Sequence, residues 1–417
     1  MSNHWLDRFQ TLSVLKITSY RNYQIGRLLF LLGLQMQSVL IAIYVYYLTK
    51  DPMALGLTGL SEAIPYLITA FFAGSLADIY NRKKMVIFAS CGYLLSIIVL
   101  TFVVLFKNQI GVDVTIWLIY GIIFLTGISR GFFAPAQGAL MAQIVPKNMY
   151  AQSATIGSIV WNTACVAGPA LGGILYNVLG VQSTLYLVLG MCAMGVLFMS
   201  SIVHIHIPVE IKRDESHMNR VWQGVLFVRK TPILYSAMLI DMLAVLFGGA
   251  VALIPVFVDK QLHLGEEAIG ILRAAPSIGA VLCSFWVSYR PLGRHAGKWF
   301  LLNIFLFGLC MIGFALSPYL WLSFAFLLLS GAFDNISVIV RSVIYQKYTP
   351  DEMRGRVMSI NSIFIGSSNE IGSFESGLAA RYIGLVPSVL IGAGITLGVS
   401  STAVKWAPAL WDLHFED

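Results

Sequence analysis

The sequence predicts an all-α integral membrane protein with twelve transmembrane helices in two pseudo-symmetric six-helix bundles. Three observations predict it. Hydrophobic residues make up 58% of the 417 residues and charged ones only 11%, where soluble domains carry about a quarter charged. Apolar runs of roughly twenty residues recur along the chain, the length a helix needs to cross about 30 Å of hydrocarbon. Lysine and arginine collect in alternate connections between those runs, the bias that sets membrane orientation.

The expected spans fall at 23–47, 55–77, 85–106, 114–139, 151–175 and 183–204, then at 233–257, 268–289, 298–316, 319–344, 357–379 and 384–404. No small-residue cleavage pattern follows the first apolar run, Leu28 to Leu48, so it is expected to be a retained span. One long polar stretch, with Glu210, Lys212, Arg213, Asp214 and Glu215, separates the two groups of six. It is too short to bury a core of its own, and its segment VWQGVLFVRK reads as a short surface helix. The organisation expected is therefore a cytoplasmic segment 1–22, a bundle 23–204, a linker 205–232, a second bundle 233–404 and a tail 405–417. Trp5, Leu6, Phe9, Leu12 and Leu15 give the first segment an amphipathic face suited to the inner membrane interface. Trp406 and Trp411 place the tail near the same surface.

Orientation follows from the basic residues. One side receives Arg8, Lys16, Arg21, Arg82, Lys83, Lys84, Lys147, the linker cluster, Arg290, Arg294, Lys298, Lys347, Arg354, Arg356 and Lys405. The other has little beyond Lys50, Lys107, Lys260 and Arg381. Both termini and the linker are thus expected in the cytoplasm, and the protein in the cell inner membrane. The net charge of +7 is a topology signal, and no nucleic-acid partner is expected.

Other chemistries find little support. The five cysteines (Cys91, Cys165, Cys192, Cys283, Cys310) sit in apolar runs without CxxC spacing and read as small hydrophobes. The histidines are scattered and form no metal-ligand set. No glycine-rich loop ends in GK[ST], so ATP hydrolysis is not expected, and no nucleophile–base pair or metal cluster suggests an enzyme. No cofactor is expected; the energy source expected is an ion gradient, taken here as the proton gradient.

Two motifs and a repeat carry more information. At the end of the second span lies GSLADIYNRKK, Gly74 to Lys84. Gly74 admits a neighbouring helix, Asp78 is suited to accept from amides at a helix start, and Arg82 and Lys83 face the wet interface. As a basic triplet alone it would be a stop-transfer cluster. In the fifth span, ACVAGPALGG places Pro169, which removes an intrahelical bond, among Gly168, Gly172 and Gly173, which permit close and bendable packing. VPKNMYAQS at 145–153 and TPDEMRGRV at 349–357 share a proline and a methionine three later, at an offset of 204 residues. Parallel repeats of transporters predict such a relation. The counterpart of the Gly74 motif, near SYRPLGRHAGK, keeps its bases but no acid.

The pattern of Gly74, Leu76, Ala77, Asp78, Arg82 and Lys83 resembles the loop signature of the major facilitator superfamily of secondary transporters, with Ile79 and Asn81 departing from it. ACVAGPALGG resembles that superfamily's antiporter signature. RNYQIGRLLF and TPDEMRGRVMSINSIFIGSSNEIGSFESG look closest to bacterial exporters grouped with the enterobactin exporter. The resemblance spans nearly the whole chain. It implies alternating access around a central cavity lined by spans four and ten, with Gly74, Asp78, Arg82, Lys83, Gly168, Pro169, Gly172 and Gly173 in conformational gating. It also implies proton-driven export of small amphipathic molecules, siderophore or drug-like, by a protein that meets membrane lipids and functions as a monomer. Uptake or lipid movement by the same fold, or a membrane receptor that transports nothing, are the alternatives.

Ionisable groups in mid-span cost about 2.5–3.5 kcal/mol on insertion scales, so they must face protein or water. The candidates are Glu62, Arg130, Asp241, Arg273, Asp334, Arg341, Glu370 and Glu375. The 204-residue offset relates Arg130 to Asp334, opposite charges in spans four and ten. They are expected to face the translocation path; the competing reading pins each within its own half as structural glue. Proton coupling needs a carboxylate that is neutral in one state, which low dielectric favours. Asp334 is the first choice for it, then Glu62 and Asp241, neither of which has a partner defined by spacing. A structural role is expected for Glu370 and Glu375. Asn335 and Gln35, with Gln37 and Asn361, are candidates for polar lining.

Overall fold

A backbone in hydrocarbon has no water to bond, so each apolar run closes its hydrogen bonds within itself and becomes a helix. The computed structural model describes residues 13–79, 81–146, 149–202, 217–289 and 295–413. Its long helices are α1 (Thr18–Thr49), α2 (Pro52–Ile79), α3 (Arg82–Leu105) and α4 (Val112–Ile144). A rod, Tyr150–Ser200, follows; Gly180, at φ 75° and ψ 171°, breaks it into α5 (150–179) and α6 (181–200). Such a backbone is open mainly to glycine. A linker helix, His217–Lys230, precedes α7 (Pro232–Gly248). After α7 the chain runs through a 3-10 turn (Ala250–Leu253), a short helix (Ile254–Phe257) and a π turn (Val258–Leu262). The remainder is α8 (Glu266–Tyr289), α9 (Ala296–Leu316), α10 (Leu320–Tyr348), α11 (Asp351–Ile383), α12 (Leu385–Trp406) and a short tail helix (Pro408–Trp411).

The protein is an all-α, multi-pass membrane fold. Among the described residues, ten helices are long and apolar enough to cross a membrane, the 49-residue stretch Gln152–Ser200 counting as one. α11 is not among them. Its SSNEIGSFES segment dilutes the apolar content with serines and two glutamates.

The chain divides into two compact units. Unit 1 comprises Met1–Tyr44 and Ile64–Ile211; unit 2 comprises Val45–Ala63 and Lys212–Asp417. The end of α1 and the start of α2 (Val45–Ala63) therefore group with unit 2, while the rest of both helices groups with unit 1.

In unit 1 three rings join three helices. Phe30 of α1 lies 5.6 Å from Tyr93 of α3, edge to face, and 5.3 Å from Phe133 of α4. Aromatic pairs at such distances add to simple area burial. Val14, Tyr20, Val145 and Ile156 form a separate small apolar cluster. The expected amphipathic run from Trp5 falls outside the described residues except for its last part, where Ser13–Lys16 form one 3-10 turn and Val14 is buried.

In unit 2 one cluster joins Val228 of the linker helix, Leu234 of α7, Phe300 of α9, Ile344 of α10 and Val357 of α11 to Leu410 and Leu413 of the tail. The tail is anchored further by the Gly297 amide, which donates to the Leu413 carbonyl at 3.2 Å. At the far end of α9, Phe314 stacks on Phe257 at 4.3 Å.

Candidate functional site: charges within the spans

Lipid supplies no hydrophobic drive between helices, so close packing and polar ties within each unit decide where charged groups can sit. In unit 2, α8 and α10 pass so closely that a side chain on Gly331 would strike the carbonyl of Pro276. Asp334 lies three residues beyond that crossing, half-buried on α10. Among the described residues it makes no hydrogen bond or ion pair. Its neighbour Asn335 donates to the Ser284 hydroxyl of α8 at 2.9 Å.

One turn-pair further along α10 the setting changes. Arg341, 4% exposed, forms an ion pair with Asp241 of α7, also 4% exposed. Asp241 thus has a charged partner that residue spacing did not reveal. Arg273 of α8 is within electrostatic reach of Glu370 of α11, and its Nε is buried without a hydrogen-bond partner. Glu62, on the part of α2 that packs with unit 2, is half-buried and engaged in interactions.

In unit 1, Arg130 of α4 is half-buried, its guanidinium carbon 4.9 Å from the centroid of the Tyr66 ring on α2. Gln35 of α1 lies at the contact with α5, donating to the Cys165 sulfur at 3.1 Å. The glycines of the span-five motif explain that contact. A Cβ on Gly168 would meet the Gln35 Cβ, and one on Gly172 would lie 3.1 Å from the Met36 Cα. Gly173 and Pro169 are buried in the same stretch, with Pro169 inside α5.

The loop motif divides. Lys83 donates to the Ile202 carbonyl at 2.6 Å, tying the start of α3 to the chain just after α6. Arg82 is half-buried and engaged in interactions, and the Asn81 side chain caps α3 by accepting from the Lys84 amide. Gly74 and Asp78 are on α2, but the surroundings of Gly74 and the Asp78 side chain lie outside what the structure describes.

Sequence reasoning missed Arg27, on α1. It is 8% exposed and donates from Nη1 to the Gly157 carbonyl of α5 at 3.2 Å. With the Gln137 amide turned so that its oxygen faces α1, Oε1 accepts from Nη2 at 3.0 Å and from Nε at 2.9 Å. Next to it Gln24 donates to the Tyr20 hydroxyl, which donates to the Ser153 carbonyl. The available signal was position: Arg27 is the tenth residue of α1, well inside the helix, and not at its wet end.

Among the described residues no group of His, Cys, Asp and Glu is arranged to hold a metal ion, and all five cysteines are free. What the charges can do is bind, tie helices and exchange protons.

Comparison with known proteins places this arrangement. The chain is 23% identical to macrolide efflux protein A of Streptococcus pyogenes, over 82% of this chain and 85% of that one. It is equally 23% identical to the enterobactin exporter EntS of Citrobacter koseri, over 93% and 91%. A crystal structure of a POT family transporter in complex with 5-aminolevulinic acid superposes with a TM-score of 0.76 at 10% identity, covering 94% of this chain and 96% of that one. The sequence profile of the Major Facilitator Superfamily matches residues 25–373 and, in an overlapping second match, 243–411. The chain belongs to the Major Facilitator Superfamily, whose members transport and do not catalyse.

Proposed function

We propose that this protein is a proton-coupled exporter of small amphipathic molecules, working by alternating access. It crosses the inner membrane twelve times, with α5, α6 and α11 each making a crossing and both termini in the cytoplasm. Asp334 carries the proton and, with Arg130, faces the path. Substrate enters from the cytoplasm or the inner leaflet, leaves outward, and proton influx resets the cycle.

The observation that carries this reading is Asp334 itself. A half-buried carboxylate on a spanning helix, with no partner among the described residues, is costly unless the site uses its charge. Asp241, by contrast, is neutralised by Arg341. Named relatives support export: one is a macrolide efflux protein, another an enterobactin exporter. Their equal identity to this chain leaves a siderophore and a drug-like molecule both in view.

The test uses vesicles holding the purified protein, an imposed pH gradient, and a macrolide and a catecholate siderophore as probes. Wild-type flux should follow the gradient, while Asp334→Asn should exchange substrate without responding to it. Equal gradient dependence in the variant removes Asp334 from coupling. Gradient-independent flux, or none, in the wild type removes proton-driven export of these probes.

A further inference from the structure

The turn between α1 and α2 holds two neighbours of opposite charge, Lys50 and Asp51. Lys50 adopts φ 51°, a left-handed backbone that a lysine enters only under constraint. From it the two side chains reach different helices of unit 2. Lys50 Nζ lies 3.3 Å from Asp259 Oδ2, in the π turn that precedes α8. Tyr46 donates to the same oxygen at 2.8 Å. The lysine also sits 4.2 Å from the Tyr47 ring. Asp51 Oδ2 accepts from Arg381 Nη1 at 2.8 Å, in the last turn of α11, while its Oδ1 caps α2 through the Met53 amide. One turn therefore grips the π turn before α8 and the last turn of α11.

Two features set this turn apart from ordinary surface pairing. Lys50 and Arg381 are two of the four basic residues the sequence places on the outer side against the prevailing bias, and each has an acid here. The segment they hold, Val45–Ala63, also packs with unit 2 although the flanking parts of the same two helices pack with unit 1. In a transporter that alternates, this segment has to let go in one state and return in the other.

We propose that Tyr46, Lys50 and Asp51, with Asp259 and Arg381, form an outer ionic latch that positions the first hairpin and sets the resting conformation. The proposal rests on the transport reading above. Its strength suits the task. The side chains are 50% and 34% exposed in one pair and 50% and 31% in the other. Exposed pairs of this kind shift an equilibrium by only about two- to fivefold each, so the latch opens without a large barrier, and salt weakens it.

The experiment measures a distance between spin labels at Leu57 and Tyr382 in the full chain, in lipid nanodiscs, with the five native cysteines replaced. The wild type should populate mainly a short distance. Asp51→Ala with Asp259→Ala should raise a longer-distance population roughly five- to twentyfold, and raising salt from about 0.05 M to about 1 M should do so in the wild type only. The exchanged pair Lys50→Asp with Asp259→Lys should restore much of the short distance. Melting midpoints are followed alongside, and Asp51→Asn with Asp259→Asn replaces the alanine pair if it unfolds. Distributions identical in wild type and broken variants overturn the latch, as does an exchanged pair that behaves like the broken one. Because the readout needs no substrate, a latch that opens as expected in a protein without gradient-driven flux removes the export reading and leaves the latch.

Discussion

Arg341 and Asp241 meet as a buried ion pair that fastens α10 to α7 inside unit 2. The 204-residue offset that relates Arg130 to Asp334 also relates Gln137 to Arg341. Gln137 receives Arg27 from α1, so the fourth helix of unit 1 is fastened to its first helix by the equivalent residue. Each half thus carries one guanidinium tie between its first and fourth helices. In unit 2 the arginine is on the fourth helix and its acceptor is charged; in unit 1 it is on the first helix and the acceptors are neutral. Only the first arrangement holds a carboxylate that could accept a proton.

Removing one member of the Arg341–Asp241 pair should be worse than removing both. A lone buried charge keeps its desolvation cost without its counter-charge, and breaking such pairs costs about 3–5 kcal/mol. Arg341→Met or Asp241→Leu alone should therefore lower the melting temperature in detergent markedly, and the double variant should recover most of the loss. A double variant as unstable as either single one would show that the pair does not act as a unit.

The Arg27 tie is expected to depend on geometry as well as charge. Gln137 Oε1 accepts two N–H groups of one guanidinium, an arrangement an ammonium cannot copy. Gln137→Leu leaves two buried donors unmet and should cost roughly 1–3 kcal/mol. Arg27→Lys should cost a similar amount despite keeping the charge. Denaturant or thermal unfolding of the purified variants measures both.

Much of the fold could be read from the sequence because hydrophobic length acts residue by residue. The charged sites were less legible, and for physical reasons. Asp241 looked unpartnered because Arg341 is a hundred residues away, and ion pairing across helices leaves no local spacing. Arg27 was passed over because a charge near a window edge reads as interfacial, whereas α1 begins at Thr18 and carries that residue inside. Gly168 and Gly172 were legible, since small residues four apart on one helix face advertise close contact without naming the partner. Their partners, Gln35 and Met36, follow only from the packing of α1 on α5.

That contact yields a prediction with a chemical readout. Gly168→Ala forces the Gln35 side chain aside, because a Cβ there overlaps the Gln35 Cβ. Overpacking of this kind costs about 1–3 kcal/mol. It should also separate Gln35 from Cys165, which are 3.1 Å apart, and so speed maleimide labelling of that half-buried cysteine. An unchanged labelling rate, with stability reduced, would place the disturbance elsewhere on α5.

The Arg130–Tyr66 contact separates two uses of the arginine. The guanidinium lies 4.9 Å from the ring centroid, within the range where a cation gains about 0.5–2 kcal/mol from an aromatic face. Tyr66→Phe keeps the face and should leave both stability and flux near wild type. Tyr66→Leu removes it, and its effect depends on what Arg130 does. If Arg130 only holds α4 against α2, Tyr66→Leu should lower the melting temperature and leave the apparent substrate affinity alone. If Arg130 faces the path, as proposed, losing the ring frees the guanidinium to reorient. Apparent affinity for an anionic or polar-headed probe should then change severalfold, by more than the loss of stability explains. Flux titrations in vesicles, with melting curves on the same preparations, distinguish the two. Arg130→Lys supplies the control: an ammonium keeps the charge but stacks less well on the ring, so it should reproduce the Tyr66→Leu shift in affinity only if the positive group meets the substrate.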